Sequence, residues 1–267
     1  MQRVPEPGQI MEDHAEVEAW DLCSLARAPF LPVYHFNARC MSYLLPAGGR
    51  ILDLACGSGR LLGLLGAGRP DIEGIGIDLS EPMLSLGRAN LRELGRFDLR
   101  YGDMTSFVDA VPERIDLVTC VSALHHLPDP SALTKALAEI ANLVARDGCS
   151  VWIYDLTRPP DAGIVDALVV THEITARRRL SPVFRQNWRE SLRAGWTLDE
   201  MTEAMDSTSL RLLHEEHAFS QIHWRGQARA EAASSWNAPA LDDCDAERVA
   251  AFSRGFARLP QAARDAR

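Results

Sequence analysis

Hydrophobic and polar positions along the chain follow two periodicities, which predict strands and helices in turn. Short apolar runs typical of buried parallel strands lie at Arg50–Ala55, Ile72–Asp78, Asp98–Tyr101, Ile115–Val121 and Cys149–Asp155. Stretches with helical spacing separate most of them, at Arg60–Gly66, Glu81–Leu94 and Pro130–Val144. Strands that alternate with helices predict an α/β fold with a doubly wound parallel sheet.

The regions that flank this alternating core have a different organisation. Two helices are predicted before it, at Glu12–Leu25 and Val33–Leu45, and a long insertion, Thr157–Gly195, follows the fifth strand. Two later apolar runs, Leu210–His217 and Phe219–Arg225, are joined tightly enough to form antiparallel strands. We therefore expect three units: an N-terminal helical lid (1–46), a core (47–228) that includes the insertion (157–195), and a helical or flexible tail (229–267).

Composition excludes several classes of protein. The chain has 267 residues, 46% of them hydrophobic, and a formal net charge of −9, which argues against binding nucleic acid through its phosphates. None of the six cysteines forms a Cys-x-x-Cys pair and no histidine cluster has zinc spacing, so neither a disulfide scaffold nor a metal site is expected. Without an apolar leader or a run of membrane length, we expect a cytoplasmic protein with no membrane partner.

The strongest local signal is a strand that runs into a glycine turn and a helix, over Ile51–Leu62. Its glycines allow a ligand to approach the backbone, and the helix start offers free N–H groups. Leu62 stands where a dinucleotide-binding loop needs a third small residue. Asp53 would repel a pyrophosphate but attract an ammonium group. The charge pattern favours S-adenosylmethionine, which carries an α-amino group and a sulfonium and no phosphate.

Further acidic residues end the next two strands. Asp78 follows Gly57 by 21 residues, a spacing that suits hydrogen bonds from ribose hydroxyls. It could instead cap the next helix, but Ser80 fills that role better. Asp103 could accept a hydrogen bond from an adenine amino group and Met104 could pack against the ring, although either residue alone is more typical of an ordinary loop or core position.

Together these elements resemble the class I S-adenosylmethionine-dependent methyltransferases, in the branch that acts on small molecules. The resemblance runs from Arg50 to Asp155 and implies a Rossmann-like seven-stranded sheet whose last strand is antiparallel. It places Asp53, Gly57 and Gly59 at the methionine part of the cofactor, Asp78 at the ribose, and Asp103 with Met104 at the adenine. The remaining predicted cofactor contacts are Ala55, Leu79, Met83 and Val121. The Asn/Asp-Pro-Pro-Tyr/Phe motif of amino-directed nucleic-acid methyltransferases is absent.

Three residues are candidates for the chemical step. His125 and His126 follow the fourth strand in a Leu-His-His-Leu-Pro run, and an imidazole near the sulfonium could take a proton from the attacking nucleophile. Equally, one histidine could pack and hydrogen-bond while the other shapes the turn. Tyr34, in the second predicted helix, could face the cofactor's sulfonium through a cation–π contact.

The sequence thus predicts a methyltransferase that uses S-adenosylmethionine and acts on a small molecule, such as a metabolite or natural-product intermediate. Two alternatives remain open at this point. The same scaffold could cyclise or eliminate the aminobutyrate arm of the cofactor with release of methylthioadenosine, or it could be a non-catalytic cofactor-binding partner subunit.

Overall fold

The computed structural model describes residues 1–8, 10–23, 25, 28–176, 181–217, 220–226 and 236–255. Within these ranges the predicted α/β fold is confirmed, with helices on both faces of one seven-stranded sheet. The strands are β1 Arg50–Leu54, β2 Glu73–Asp78, β3 Phe97–Tyr101, β4 Leu117–Val121, β5 Ser150–Leu156, β6 Leu213–His217 and β7 Gln221–Gly226. The helices are α1 His14–Leu22, α2 Leu31–Leu44, α3 Arg60–Gly68, α4 Glu81–Leu91, α5 Pro130–Asp147, α6 Ala162–Ala176, α7 Pro182–Ala194, α8 Leu198–Asp206 and α9 Asp243–Gly255.

The strand order in the sheet is β3-β2-β1-β4-β5-β7-β6. β1 to β5 are parallel, whereas β7 is antiparallel to both β5 and β6, which confirms the expected antiparallel last strand. β6 begins at Leu213 and not at Leu210, because the Leu210 amide donates to the Thr208 hydroxyl and holds this segment in a turn. Phe219, the predicted first residue of the last strand, lies outside the described residues.

Helix caps at the carboxyl edge of the sheet agree with the sequence. The Ser80 hydroxyl accepts from the Met83 amide at the start of α4, and the Asp129 carboxylate accepts from the Ala132 amide at the start of α5. These caps begin each helix shortly after a strand end. The connecting loops are therefore short, and they stay at the edge where open α/β sheets bind their ligands.

The flanking helices pack onto the same hydrophobic core as the sheet. Phe36 of α2 is buried against Trp152 and Tyr154 of β5. At the start of α2, the centre of the Phe30 ring lies 5.0 Å from that of Trp188 in α7. This contact joins the N-terminal helices to the insertion. α9 also packs on α2, and part of the predicted tail lies outside the described residues. The division into three units stays a prediction. No helix in the described ranges is long and apolar enough to cross a membrane.

Candidate active site

The predicted cofactor residues share one edge of the sheet because the strands that carry them are parallel neighbours. β1 pairs with β2 on one side and with β4 on the other, so Asp53, Asp78 and Val121 all lie at or near carboxyl ends. The loop after β3, with Asp103 and Met104, reaches the same edge because β3 pairs with β2. The sheet order thus brings residues that are far apart in the sequence to one edge of the sheet. We call this carboxyl edge the rim.

The glycine loop bends through three residues with positive φ angles: Ala55 at 53°, Gly57 at 53° and Gly59 at 68°. For alanine this conformation is uncommon, and such strain is typical of functional loops. A methyl group built on Gly57 would have the Met83 sulfur, 4.0 Å away, as its nearest neighbour. The loop therefore presents open backbone toward Met83, where a ligand can approach closely.

We expect Gly59→Ala to destabilise the fold by about 1–3 kcal/mol more than Gly95→Ala. Both glycines have positive φ, 68° and 63°, so both substitutions strain the backbone. The added methyl at position 59 would lie 2.8 Å from Leu91 Cδ1, whereas nothing lies within 4 Å at position 95. Denaturant unfolding of the two variants measures the difference, and equal losses would contradict a tightly packed loop.

Asp78 is bound to the glycine loop by its side chain. One carboxylate oxygen accepts from the Gly57 amide at 2.8 Å, and the other accepts from the Ser80 amide at 2.8 Å. Burial raises the pKa of this carboxyl group, and the two amides partly oppose that rise. Ser80 caps α4 itself, as expected, so Asp78 connects the loop to the end of β2.

The other predicted cofactor residues line the rim with fewer specific contacts. Leu79 and Val121 are half-buried, and Met104 packs against the core cluster. The Asp103 carboxylate accepts from the Thr105 amide at 2.8 Å, which is a local turn contact. Their assignments to the cofactor therefore stay predictions.

Asp53 is buried at the end of β1 and its carboxylate accepts a hydrogen bond from the Thr119 hydroxyl at 2.7 Å. Burial raises the pKa of Asp53 to about 7, an effect that the Thr119 bond only partly offsets. A cation placed beside this group would favour the ionised form and release a proton.

We expect the affinity for S-adenosylmethionine to fall roughly 15-fold from pH 7 to pH 5.5, since the predicted contact of its ammonium group with Asp53 needs the ionised carboxylate. Below pH 7 most of the Asp53 carboxyl is protonated, so binding must first remove that proton. Calorimetry across this range measures the change. Asp53→Asn should bind more weakly with a flatter pH dependence, and an unchanged slope in the variant would contradict this role.

The two adjacent histidines occupy a 3₁₀ turn, Leu124–His126, that follows β4. His125 is buried, and its Nδ1 lies 2.6 Å from Asp155 Oδ1, while its backbone amide donates to Asp155 Oδ2 at 3.2 Å. Because a carboxylate only accepts, the neutral form of the ring carries its proton on Nδ1 and its lone pair on Nε2. Burial alone would lower the pKa of His125, but Asp155 outweighs it and raises the pKa.

Sequence reasoning missed Asp155 as a functional residue, although a signal was present. It was predicted as the last residue of the fifth strand, and that strand lies beside β4. An acidic side chain near the carboxyl end of the neighbouring strand is well placed to orient a histidine in the loop after β4.

Glu6 contacts both histidines from the N-terminal segment. Its carboxylate accepts hydrogen bonds from His126 Nδ1 and from the Ser191 hydroxyl, the latter at 2.6 Å, and lies 3.9 Å from His125 Nε2. Burial alone would raise the pKa of Glu6, but the His126 bond and the two nearby rings lower it to about 2. No sequence signal pointed to Glu6, because it lies far from the histidines along the chain.

Arg3 holds this N-terminal segment against the site. Its guanidinium donates to the carbonyl oxygens of Ala194, Pro128, His125 and Leu127 and stacks 3.6 Å above the Trp196 ring. The segment then continues along the rim, where the Met11 carbonyl accepts from the Ser80 hydroxyl. Arg3 therefore lies at the histidine turn, whereas Met11 lies near the end of β2.

Tyr34 lies at a different part of the rim. It lines a surface cavity beside Gly59 and Arg60, and burial followed by the charge of Asp53 raises the pKa of its phenol. Arg60 donates two hydrogen bonds to Asp21, at 2.8 and 2.6 Å, which connect the start of α3 to α1. The structure thus brings the two histidines together but places Tyr34 beside the glycine loop.

Comparison with known proteins finds that this chain is similar to methyltransferases. A family model described as a methyltransferase domain matches residues 51–148. The chain is 30% identical over 188 residues to a ubiquinone biosynthesis O-methyltransferase of Sodalis glossinidius, covering 64% of this chain and 71% of the relative. It is 26% identical over 196 residues to the enzyme of that name from Stutzerimonas stutzeri, covering 70% and 82%. An O-methyltransferase family protein from Burkholderia thailandensis has a similar fold, with a TM-score of 0.58 at 14% identity over 82% and 61% of the two chains.

Proposed function

Because this chain belongs to the class I S-adenosylmethionine-dependent methyltransferases, we propose that it methylates a small molecule at an oxygen atom, with His125 as the general base. The observation that carries the proposal is the His125–Asp155 pair beside the cofactor rim. The family supplies the cofactor and the reaction. The acceptor class and the base are the proposal.

Two observations support a small oxygen acceptor. The relatives are named for O-methylation in ubiquinone biosynthesis, a reaction on a small molecule. His125 is also buried where the N-terminal segment and α7 meet beside the histidine turn, which favours a small acceptor over a macromolecule. The net charge of −9 adds an unfavourable field for nucleic acid.

The chemical step is an in-line displacement at the methyl carbon. S-adenosylmethionine supplies an electrophilic methyl group on a positively charged sulfur. A lone pair of the acceptor oxygen forms the new C–O bond while the C–S bond breaks and its electron pair stays on sulfur. The acceptor proton passes to His125 Nε2, and Asp155 stabilises the imidazolium that forms. Enclosure by the flanking segments supports the positioning and desolvation that such a displacement needs.

Tyr34 has a different role in this proposal. Its phenol is held neutral by its surroundings, since its pKa is raised, and it is therefore poorly suited to take a proton. Its position beside Gly59 fits a contact with the methionine part of the cofactor. We assign the base to His125 and keep Tyr34 at the cofactor.

The decisive experiment is incubation of the protein with methyl-labelled S-adenosylmethionine and separate extracts of small metabolites, RNA and protein. We expect label only in the metabolite fraction and S-adenosylhomocysteine as the nucleoside product. Label confined to macromolecules would contradict the small acceptor. Methylthioadenosine as the product would show chemistry on the aminobutyrate arm instead.

A further inference from the structure

We propose that Glu6, His125 and His126 form a binding site for a divalent transition-metal ion such as Zn²⁺, and that the ion inhibits methyl transfer. The inhibitory part rests on the proposed function, because it needs His125 as the base. The binding part stands on the geometry of the three side chains alone.

The ligand atoms of these residues already converge. One carboxylate oxygen of Glu6, one nitrogen of His125 and one nitrogen of His126 all lie within 4.8 Å of one another. Zn²⁺ bonds to nitrogen and oxygen are about 2.0–2.2 Å long, so two ligands of one tetrahedral ion stand about 3.4 Å apart. His125 Nε2 and Glu6 Oε1 are 3.9 Å apart, close to that spacing. The ion would take the place of the proton that His126 Nδ1 donates to Glu6.

The surroundings of the cluster supply a second, independent observation. Histidines that bind metals usually donate their other ring N–H to a carboxylate, which fixes the tautomer and orients the ring. His125 does so toward Asp155 at 2.6 Å, which leaves Nε2 directed at Glu6. About a third of the His126 side chain is exposed, so the ion has a route in from solvent.

The choice of metal follows from the ligand types. Two imidazole nitrogens and one carboxylate suit Zn²⁺ and similar transition metals, whereas Mg²⁺ prefers oxygen ligands. The sequence predicted no metal site because the histidines lack zinc spacing between themselves. Folding supplies the third ligand from the N-terminal segment, which Arg3 fastens beside the histidine turn.

Inhibition follows from a single lone pair. The nitrogen that would take the acceptor proton, His125 Nε2, is also the atom that would bind the ion. Both cannot happen at once, so a metal-loaded site lacks its base.

The test compares the full-length protein with Glu6→Gln and, as a matched control, Glu12→Gln, which changes an exposed glutamate nearby. Equilibrium dialysis against Zn²⁺ and the visible absorption of added Co²⁺ report binding without any activity measurement. We expect the wild type and Glu12→Gln to bind one ion at this site, and Glu6→Gln to bind it about 100-fold more weakly, since even outer contacts are worth 10–100-fold.

The rate of labelled methyl transfer is then measured for each protein with and without Zn²⁺, and with Mg²⁺. We expect Zn²⁺ to lower the rate of the wild type and of Glu12→Gln. The rate of Glu6→Gln with Zn²⁺ should stay close to its own metal-free rate, and Mg²⁺ should change none of the three rates. Equal Zn²⁺ affinity in all three proteins overturns the site. Binding without inhibition, or with stimulation, overturns the inhibitory role. If no acceptor is methylated at all, the proposed function fails while dialysis and Co²⁺ absorption still decide the site.

Discussion

His125→Ala is expected to lower the turnover of methyl transfer by roughly 10²–10⁴-fold, the usual loss when a positioned proton acceptor is removed. Affinity for S-adenosylmethionine should change little, because the ring is held by a hydrogen bond to Asp155, which is not among the predicted cofactor residues. The rate per folded molecule and the calorimetric affinity are measured together, since His125 is buried and its loss also costs stability.

Two further variants separate a base from a packing residue. Asp155→Asn should lose a comparable part of the rate, because an amide cannot hold the ring in the required tautomer or stabilise the imidazolium. His126→Ala should lose less than about tenfold, since its nitrogen contacts Glu6 and not the orienting carboxylate. A larger loss in His126→Ala than in His125→Ala would overturn the assignment.

Asp78→Ala is expected to weaken S-adenosylmethionine binding by about 30-fold, which corresponds to about 2 kcal/mol. Each carboxylate oxygen accepts one backbone amide, from Gly57 and from Ser80, and still has a lone pair for a ribose hydroxyl. The variant would therefore lose both the predicted ribose bonds and the contact that holds the glycine loop. Calorimetry with the cofactor gives the change directly.

A matched aspartate tests whether the effect is specific. Asp98 lies on the neighbouring strand β3, is 62% exposed and pairs with Arg100 at the surface. Asp98→Ala should leave cofactor affinity within about twofold, as surface substitutions usually do. Equal affinity in Asp78→Ala and the wild type would show that the ribose lies elsewhere.

The parts of the fold that the sequence predicted are those specified locally. The strand, glycine turn and helix around Gly57 are encoded within a dozen residues, and the caps at Ser80 and Asp129 mark where helices begin. Strand ends such as Asp78 could be placed on one rim because parallel neighbours share their carboxyl edge.

Contacts between distant segments could not be predicted in the same way. Nothing near Glu6 in the sequence indicates that it meets His126, because that contact depends on how Arg3 anchors the N-terminal segment. The contact between Asp155 and His125 could have been predicted, because it requires only that β4 and β5 are neighbouring strands. Tyr34 is a candidate from sequence because an aromatic ring could face the sulfonium, but periodicity does not show the course of α2 along the rim, which places Tyr34 beside Gly59 and not beside the histidines.

The antiparallel β7 also governs the order in which the sheet can be assembled. β5 can pair with β4 as soon as it is synthesised, but its other neighbour, β7, comes much later in the chain. The whole insertion and α8 are synthesised between β5 and β7. Until β7 emerges from the ribosome, the backbone of Val151–Leu156 offers an open strand edge that other chains can join. Closure of the sheet is thus a late, long-range event, and chains that stop before β7 would be prone to aggregate during synthesis.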